Sequence, residues 1–299
     1  MAVTEIPVVF PCEGQELVGM VHRPDQPRRR GLLTVVAGGP QYRGGVCRMQ
    51  VQLARDLADA GVPVMRFDYR GMGDSEGSFR GFQHVGADLK AAVETFRAQV
   101  PELEEVALFG GCDAASAAMI NGWHLEGVTG LVLGNPWVHS TETSDAVTVK
   151  HYGRRLQDKD FWLKLLRGQY NPWPAVVTLV RAALARVRRL VAPRPAGAAP
   201  QREADDLHLP FEQRMCRGLA RFRGDVMMLM SGRSLLSKEF DELVASRPDW
   251  QQALRSPRSL QRHELPEADQ AFSALQTRRE VNQLVLAWMQ RAAVTSKEP

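Results

Sequence analysis

Short apolar runs rich in Val, Leu and Met alternate with stretches of helical period along most of this chain, and that alternation limits its architecture more than any other feature. Strand-like runs fall at 5–10, 16–22, 31–37, 62–67, 104–109, 128–134, 225–231 and 258–265; helical patterns fall at 46–60, 82–99, 113–124, 211–222, 237–246 and 270–292. In the first helical stretch Val46, Met49, Leu53, Leu57 and Ala60 recur at the spacing of one buried face. Strands that alternate with helices predict a mostly parallel sheet with helices on both faces. The first two runs, separated by Cys12-Glu13-Gly14-Gln15, predict an antiparallel hairpin leading into that sheet.

The alternation breaks once, from about Pro136 to Pro210, after the sixth strand. A chain of 299 residues, 44% hydrophobic, can bury one large core and still carry such an insertion. We therefore divide it into an N-terminal core part at 1–135, a helical insertion at 136–210 and a C-terminal core part at 211–299. Eight strands in this order with a late insertion predict the α/β-hydrolase fold, the insertion lying where such proteins carry a lid.

Charge is concentrated in the insertion. The formal net charge is +4, yet between Lys150 and Arg202 twelve Lys or Arg face two Asp, so the rest of the chain is acidic. That distribution argues against a nucleic-acid-binding surface. Within 175–191, Val176, Val177, Leu179, Val180, Leu184, Val187, Leu190 and Val191 share one arc of a helix, with Arg181, Arg186, Arg188 and Arg189 opposite. Such a helix either packs on the body with a solvated basic face or meets an anionic membrane surface or acidic carrier protein. The following APRPAGAAPQ reads as a flexible linker. No run reaches the roughly 18 apolar residues of a membrane span, and the N-terminus lacks the pattern of a signal peptide. A cytoplasmic protein is expected, with peripheral contact at the inner membrane the alternative the basic helix leaves open. Cysteines at 12, 47, 112 and 216 lie far apart, so neither disulfides nor a metal site is expected, and no cofactor is implied.

The stretch LFGGCDAASAAM, residues 108–119, carries the chemistry. A strand ending in Gly-Gly that passes through one reactive side chain into an alanine-rich helix matches a nucleophile elbow, in which small residues two before and two after the nucleophile let the turn close. Gly110 and Ala114 hold those places around Cys112. A thiol is partly ionised near neutrality, and a helix N-terminus is expected to favour its thiolate. The backbone N–H of Asp113 is one expected oxyanion donor, and Gly39, in Ala37-Gly38-Gly39-Pro40-Gln41-Tyr42, is the other. The loop Phe67-Asp68-Tyr69-Arg70-Gly71-Met72-Gly73-Asp74-Ser75 is expected to brace the elbow through hydrogen bonds.

The segments GGPQYRGG, FDYRGMGDSEG, GCDAASAA, NPWV and LPEAD, in this order, resemble the α/β-hydrolase-like proteins of the exosortase A system, which occur beside bacterial exopolysaccharide and PEP-CTERM protein-sorting genes. The resemblance spans most of the chain and is weakest from about 140 to 210. It implies a Cys-Asp-His triad with Cys112 as nucleophile. The implied acid place, in Ser231-Gly232-Arg233-Ser234, holds Ser234; the implied base place, in Ala268-Asp269-Gln270-Ala271-Phe272-Ser273, holds Gln270. Neither residue can serve, and losing such helpers costs a triad enzyme roughly four orders of magnitude. His139, with Glu142 close behind, is the candidate for a displaced base. His263 lies inside the eighth strand, and Glu239 and Asp241 read as solvated helix charges.

Two readings of function follow. One is cysteine-dependent chemistry on a small-molecule ester or thioester, free or carrier-bound, ending in hydrolysis or acyl transfer. The other is an inactive pseudo-hydrolase that binds a ligand or partner. Oligomeric state is not legible.

Overall fold

The computed structural model describes residues 2–37, 41–138 and 206–291. Within them one eight-stranded sheet has the order β1-β2-β4-β3-β5-β6-β7-β8. The strands are β1 (Val3–Cys12), β2 (Gln15–Pro24), β3 (Arg30–Val35), β4 (Val64–Phe67), β5 (Glu105–Gly111), β6 (Val128–Gly134), β7 (Asp225–Ser231) and β8 (Ser259–Leu265). β1 and β2 form the expected hairpin, closed at Glu13 and Gly14, both with left-handed φ as a two-residue turn requires. β2 also runs antiparallel to β4; from β3 to β8 the pairs are parallel.

A parallel strand is buried on both faces, so its consecutive residues divide between two cores. Leu33, Leu108, Leu131 and Met228 enter one cluster, joined by Phe96 of α2 (Gly86–Gln99), Met119 of α3 (Asp113–Asn121), Leu219 of α4 (Phe211–Arg221), Phe240 of α5 (Leu235–Ser246) and Trp250 of α6 (Pro248–Ala253). Their neighbours Leu32, Ala107, Val132 and Met227 enter the other, with Leu53 and Leu57 of α1 (Met49–Asp59) and Val285 and Trp288 of α7 (Leu275–Arg291). Among the described residues two helices therefore cover one face and five the other, as the alternation predicts.

Two local expectations need correction. The helix expected over 46–60 is broken: Cys47 and Arg48 adopt left-handed φ within a 3-10 turn at Val46–Arg48, and regular helix begins at Met49. The helix expected from 270 begins at Leu275, because Asp269 accepts from the Ser273 backbone and hydroxyl and holds 269–273 in a turn. The short α6, with Pro248 in its first turn, carries too few residues to show a period. The expected insertion at 136–210, including its basic helix, falls outside the described residues from 139 to 205. Among the described residues no helix is long and apolar enough to cross a membrane.

Candidate active site

The site lies at the C-terminal edge of the sheet, where β5 turns into α3. Cys112 has φ 55° and ψ −125°, a conformation that costs a non-glycine residue about 1–3 kcal/mol. Neighbouring backbone holds it there: the Cys112 N–H donates to the Gly134 carbonyl at 2.8 Å, and the Trp137 N–H donates to the Cys112 carbonyl at 3.2 Å. The flanking small residues explain how the chain closes so tightly. A Cβ on Gly110 would stand 2.5 Å from the Ala114 carbonyl carbon. Ser116, one turn into α3, donates to the Trp137 carbonyl at 2.7 Å and ties the helix to the loop after β6.

Cys112 opens into a cavity of about 470 Å³. Val46, Met49, Phe82, Phe109, Trp137 and Phe272 make its walls largely apolar; Gln41, Gln50 and Gln270 contribute amides, and Asp113 contributes the one carboxylate among the described lining residues. No described histidine lines it. Gln50 is committed elsewhere, accepting from the Thr34 hydroxyl and donating to the Val35 carbonyl. Burial first, and then the adjacent Asp113 carboxylate, push the Cys112 thiol up to about 11; the Asp113 backbone N–H and the Gln270 amide pull the other way and lose. Burial thus works against the thiolate expected at the helix N-terminus, outweighing the Asp113 N–H that favours it.

Gln270 does face the sulfur. Its Nε2 donates to Cys112 Sγ across 3.8 Å. The loop that carries it is anchored by Asn135, a fully buried residue with left-handed φ at the end of β6. Asn135 Nδ2 donates to the Gln270 carbonyl at 3.0 Å and to the Ser231 hydroxyl at 2.8 Å, while its Oδ1 accepts from the Ser231 N–H at 2.8 Å and the Ser237 hydroxyl at 2.7 Å. Phe272, also at left-handed φ, buries its ring over Gly134. Asn135 escaped sequence reasoning, although its place directly after β6 in NPWV was a usable signal.

Ser234 sits apart from the cavity. It is buried at the N-cap of α5, where its hydroxyl accepts from the Leu236 N–H at 3.2 Å. The Arg233 N–H donates to the Ala268 carbonyl, so the loops after β7 and β8 are neighbours. Gly39 and His139 lie outside the described residues. Asp113 is the first residue of α3 and lines the cavity. His263 pairs with Leu229 inside the sheet. Glu239 is buried, in contrast to the solvated helix charge expected, while Asp241 pairs with Arg262 at 2.7 Å.

Among the described residues, the loop after β4 braces the segment beyond β3, α2 and the first hairpin. Buried Asp68 accepts from the Arg43 backbone N–H and, through its other oxygen, from the Arg43 guanidinium and the Asp74 N–H, and Arg43 also reaches Asp74. Arg70 binds Asp88 of α2 through Nη2 at 2.8 Å and also pairs with Glu13. This network fixes the Gln41–Gly45 wall of the cavity.

Residues 29–172 match the family model described as serine aminopeptidase, S33. No curated protein matches the chain in sequence. Among solved structures, an esterase of Pyrococcus furiosus is 13% identical, with 97% of this chain and 92% of that one aligned at a TM-score of 0.63. A thermostable carboxyl esterase of Bacillus coagulans is 14% identical over 98% and 100% of the two chains at 0.61, and a dienelactone hydrolase of Anabaena variabilis is 13% identical over 98% and 99% at 0.57. At these identities the likeness carries architecture: the chain has the α/β-hydrolase fold.

Proposed function

We propose that this protein carries out acyl chemistry on Cys112, acting on an ester or thioester whose acyl part is uncharged and apolar. The observation that carries this reading is the strained backbone of Cys112 at the mouth of a cavity. Such conformations persist where the surroundings enforce them, and they cluster at active sites. The aromatic walls favour an apolar acyl group, and the absence of Lys or Arg among the described lining residues disfavours an anionic one.

The step balances without a cofactor. Sγ loses its proton to solvent, the thiolate attacks the carbonyl carbon, and the carbonyl π pair moves onto oxygen. Collapse restores the C=O bond and expels the leaving group, giving an acyl thioester on Cys112. Water then completes hydrolysis, or another nucleophile completes transfer. With the thiol at about 11, the reactive form is roughly one part in ten thousand at pH 7. Thioesters suit such a site better than alkyl esters, because a thiolate leaves without prior protonation. Nothing described in the cavity replaces the implied base, so the acyl-enzyme is expected to resolve slowly. The segments resembling exosortase A-associated hydrolases extend this reading to membership of that group and to a Cys-Asp-His triad with two places substituted.

Incubation with acyl thioesters followed by intact-mass measurement tests the proposal. A single acyl adduct on Cys112 is expected. Its rate of formation should rise about tenfold per pH unit up to the thiol's own pKa, and the adduct should be absent in Cys112→Ala. No adduct at any pH from 7 to 10 overturns the proposal. The second reading, a ligand-binding pseudo-hydrolase, is favoured by the Gln270 amide in the base's place; it predicts saturable binding of the same thioesters by calorimetry with Cys112 unmodified.

A further inference from the structure

We propose that Gln270 is a catalytic hydrogen-bond donor, its side-chain N–H receiving the carbonyl oxygen of an ester or thioester at Cys112 as that oxygen becomes negative. The inference rests on the acyl chemistry proposed above and gives an electrophilic role to a residue standing where a base is expected. An amide cannot take up a proton near neutral pH, but it donates well. Nε2 points at Sγ from 3.8 Å, and that contact is the side chain's one hydrogen bond among the described residues. In the proposal, an acyl carbon bonded to Sγ turns its oxygen toward the amide, beside the sulfur, where a hydrogen bond of about 2.9 Å can form.

The geometry is enforced from behind. Asn135, fully buried, grips the Gln270 carbonyl and is itself held by Ser231 and Ser237. Asp269 closes the same turn onto Ser273. A side chain projecting from so fixed a backbone is preorganised, the condition under which a donor stabilises a developing oxyanion. The Asp113 N–H, which already lies against the sulfur, approaches from the elbow side. Two donors on different elements then flank the carbonyl oxygen while the thiolate attacks. As the C=O bond re-forms, the charge leaves with the expelled thiolate, which is protonated by solvent; nothing is oxidised or reduced.

The test uses the full chain, with the acylation rate from an N-acetylcysteamine acyl thioester set beside the alkylation rate of Cys112 by iodoacetamide. Alkylation needs the thiolate but forms no oxyanion. Gln270→Ala should slow acylation by about 10²–10³-fold at saturating thioester while slowing alkylation less than tenfold. Gln270→Glu, which only accepts when ionised, should acylate no faster than Gln270→Ala. Gln270 is exposed, so both variants should keep the parental unfolding temperature. Acylation by Gln270→Ala within threefold of the parent overturns the proposal. So does an equal fall in acylation and alkylation, which would mean that Gln270 acts only on thiol ionisation, or a Glu variant faster than the parent, which would mean that the position serves as a base. A parent that never forms an adduct overturns the acyl reading itself; an adduct indifferent to Gln270 overturns only the donor.

Discussion

At the end of β5 the chain accepts a strained residue, close glycine packing and a helix start in order to bring one sulfur to a cavity. At the ends of β7 and β8, facing it, strain among the described residues appears only at Phe272, and Ser231, Ser234, Ser237 and Asp269, with Asn135 from the end of β6, are engaged in holding loops and a helix cap. On the acyl chemistry proposed above, the elbow presents the thiol, while the opposite rim carries Ser234 and Gln270 in the places of an acid and base. On that proposal, presenting a nucleophile and activating it are separable structural tasks. Ser234 shows this directly, because a residue in the implied acid place works as a helix cap.

The sharpest way to break the contrast is to supply the missing groups. Ser234→Asp combined with Gln270→His should raise turnover of a thioester by about 10²–10³-fold, since a working base and acid contribute on that scale. The acyl adduct should then fail to accumulate, and the pH of half-maximal alkylation rate at Cys112 should fall well below that of the parent, in which burial pushes the thiol up. Aspartate is also a good N-cap, so α5 should survive the change. Unchanged turnover with both residues in place would mean that the rim has lost its geometry as well as its groups.

Next in size is an insult to the elbow. Gly110→Ala forces a methyl against the Ala114 carbonyl, and overpacking of this kind costs about 1–3 kcal/mol. Denaturant unfolding should show that loss, together with slower alkylation of Cys112 as the turn opens. The smallest effect belongs to the rim. Ser234→Ala removes a cap worth about 1 kcal/mol and should lower the unfolding midpoint, with acylation of Cys112 within threefold of the parent. A large loss of acylation would place Ser234 at the chemistry after all.

Much of this was legible in the linear chain because it follows from short-range rules. Strand and helix alternate visibly, and Gly110 and Ala114 mark a turn that only small residues permit. Ser234 and Gln270 stood out because the residues around them fit a pattern they themselves break. What escaped depends on three-dimensional surroundings. The ionisation of Cys112 is set by burial and by the Asp113 carboxylate, which outweigh the Asp113 N–H. Arg43 meets Asp68 across 25 positions of sequence, so no local reading could place this brace at the wall of the cavity. Glu239 looked solvated only because its helix was read without its neighbours. The kink at Cys47 and Arg48 overrides a regular apolar period.

The left-handed backbone at Cys112 has one last implication. A glycine in that position would adopt the same dihedral angles with little penalty, and the hydrogen bonds to the Gly134 carbonyl and from the Trp137 N–H involve only main-chain atoms. The fold alone thus has no need of a thiol here. Retaining one sets durability against reactivity at a single atom, and a protein relieved of it should melt later and do less.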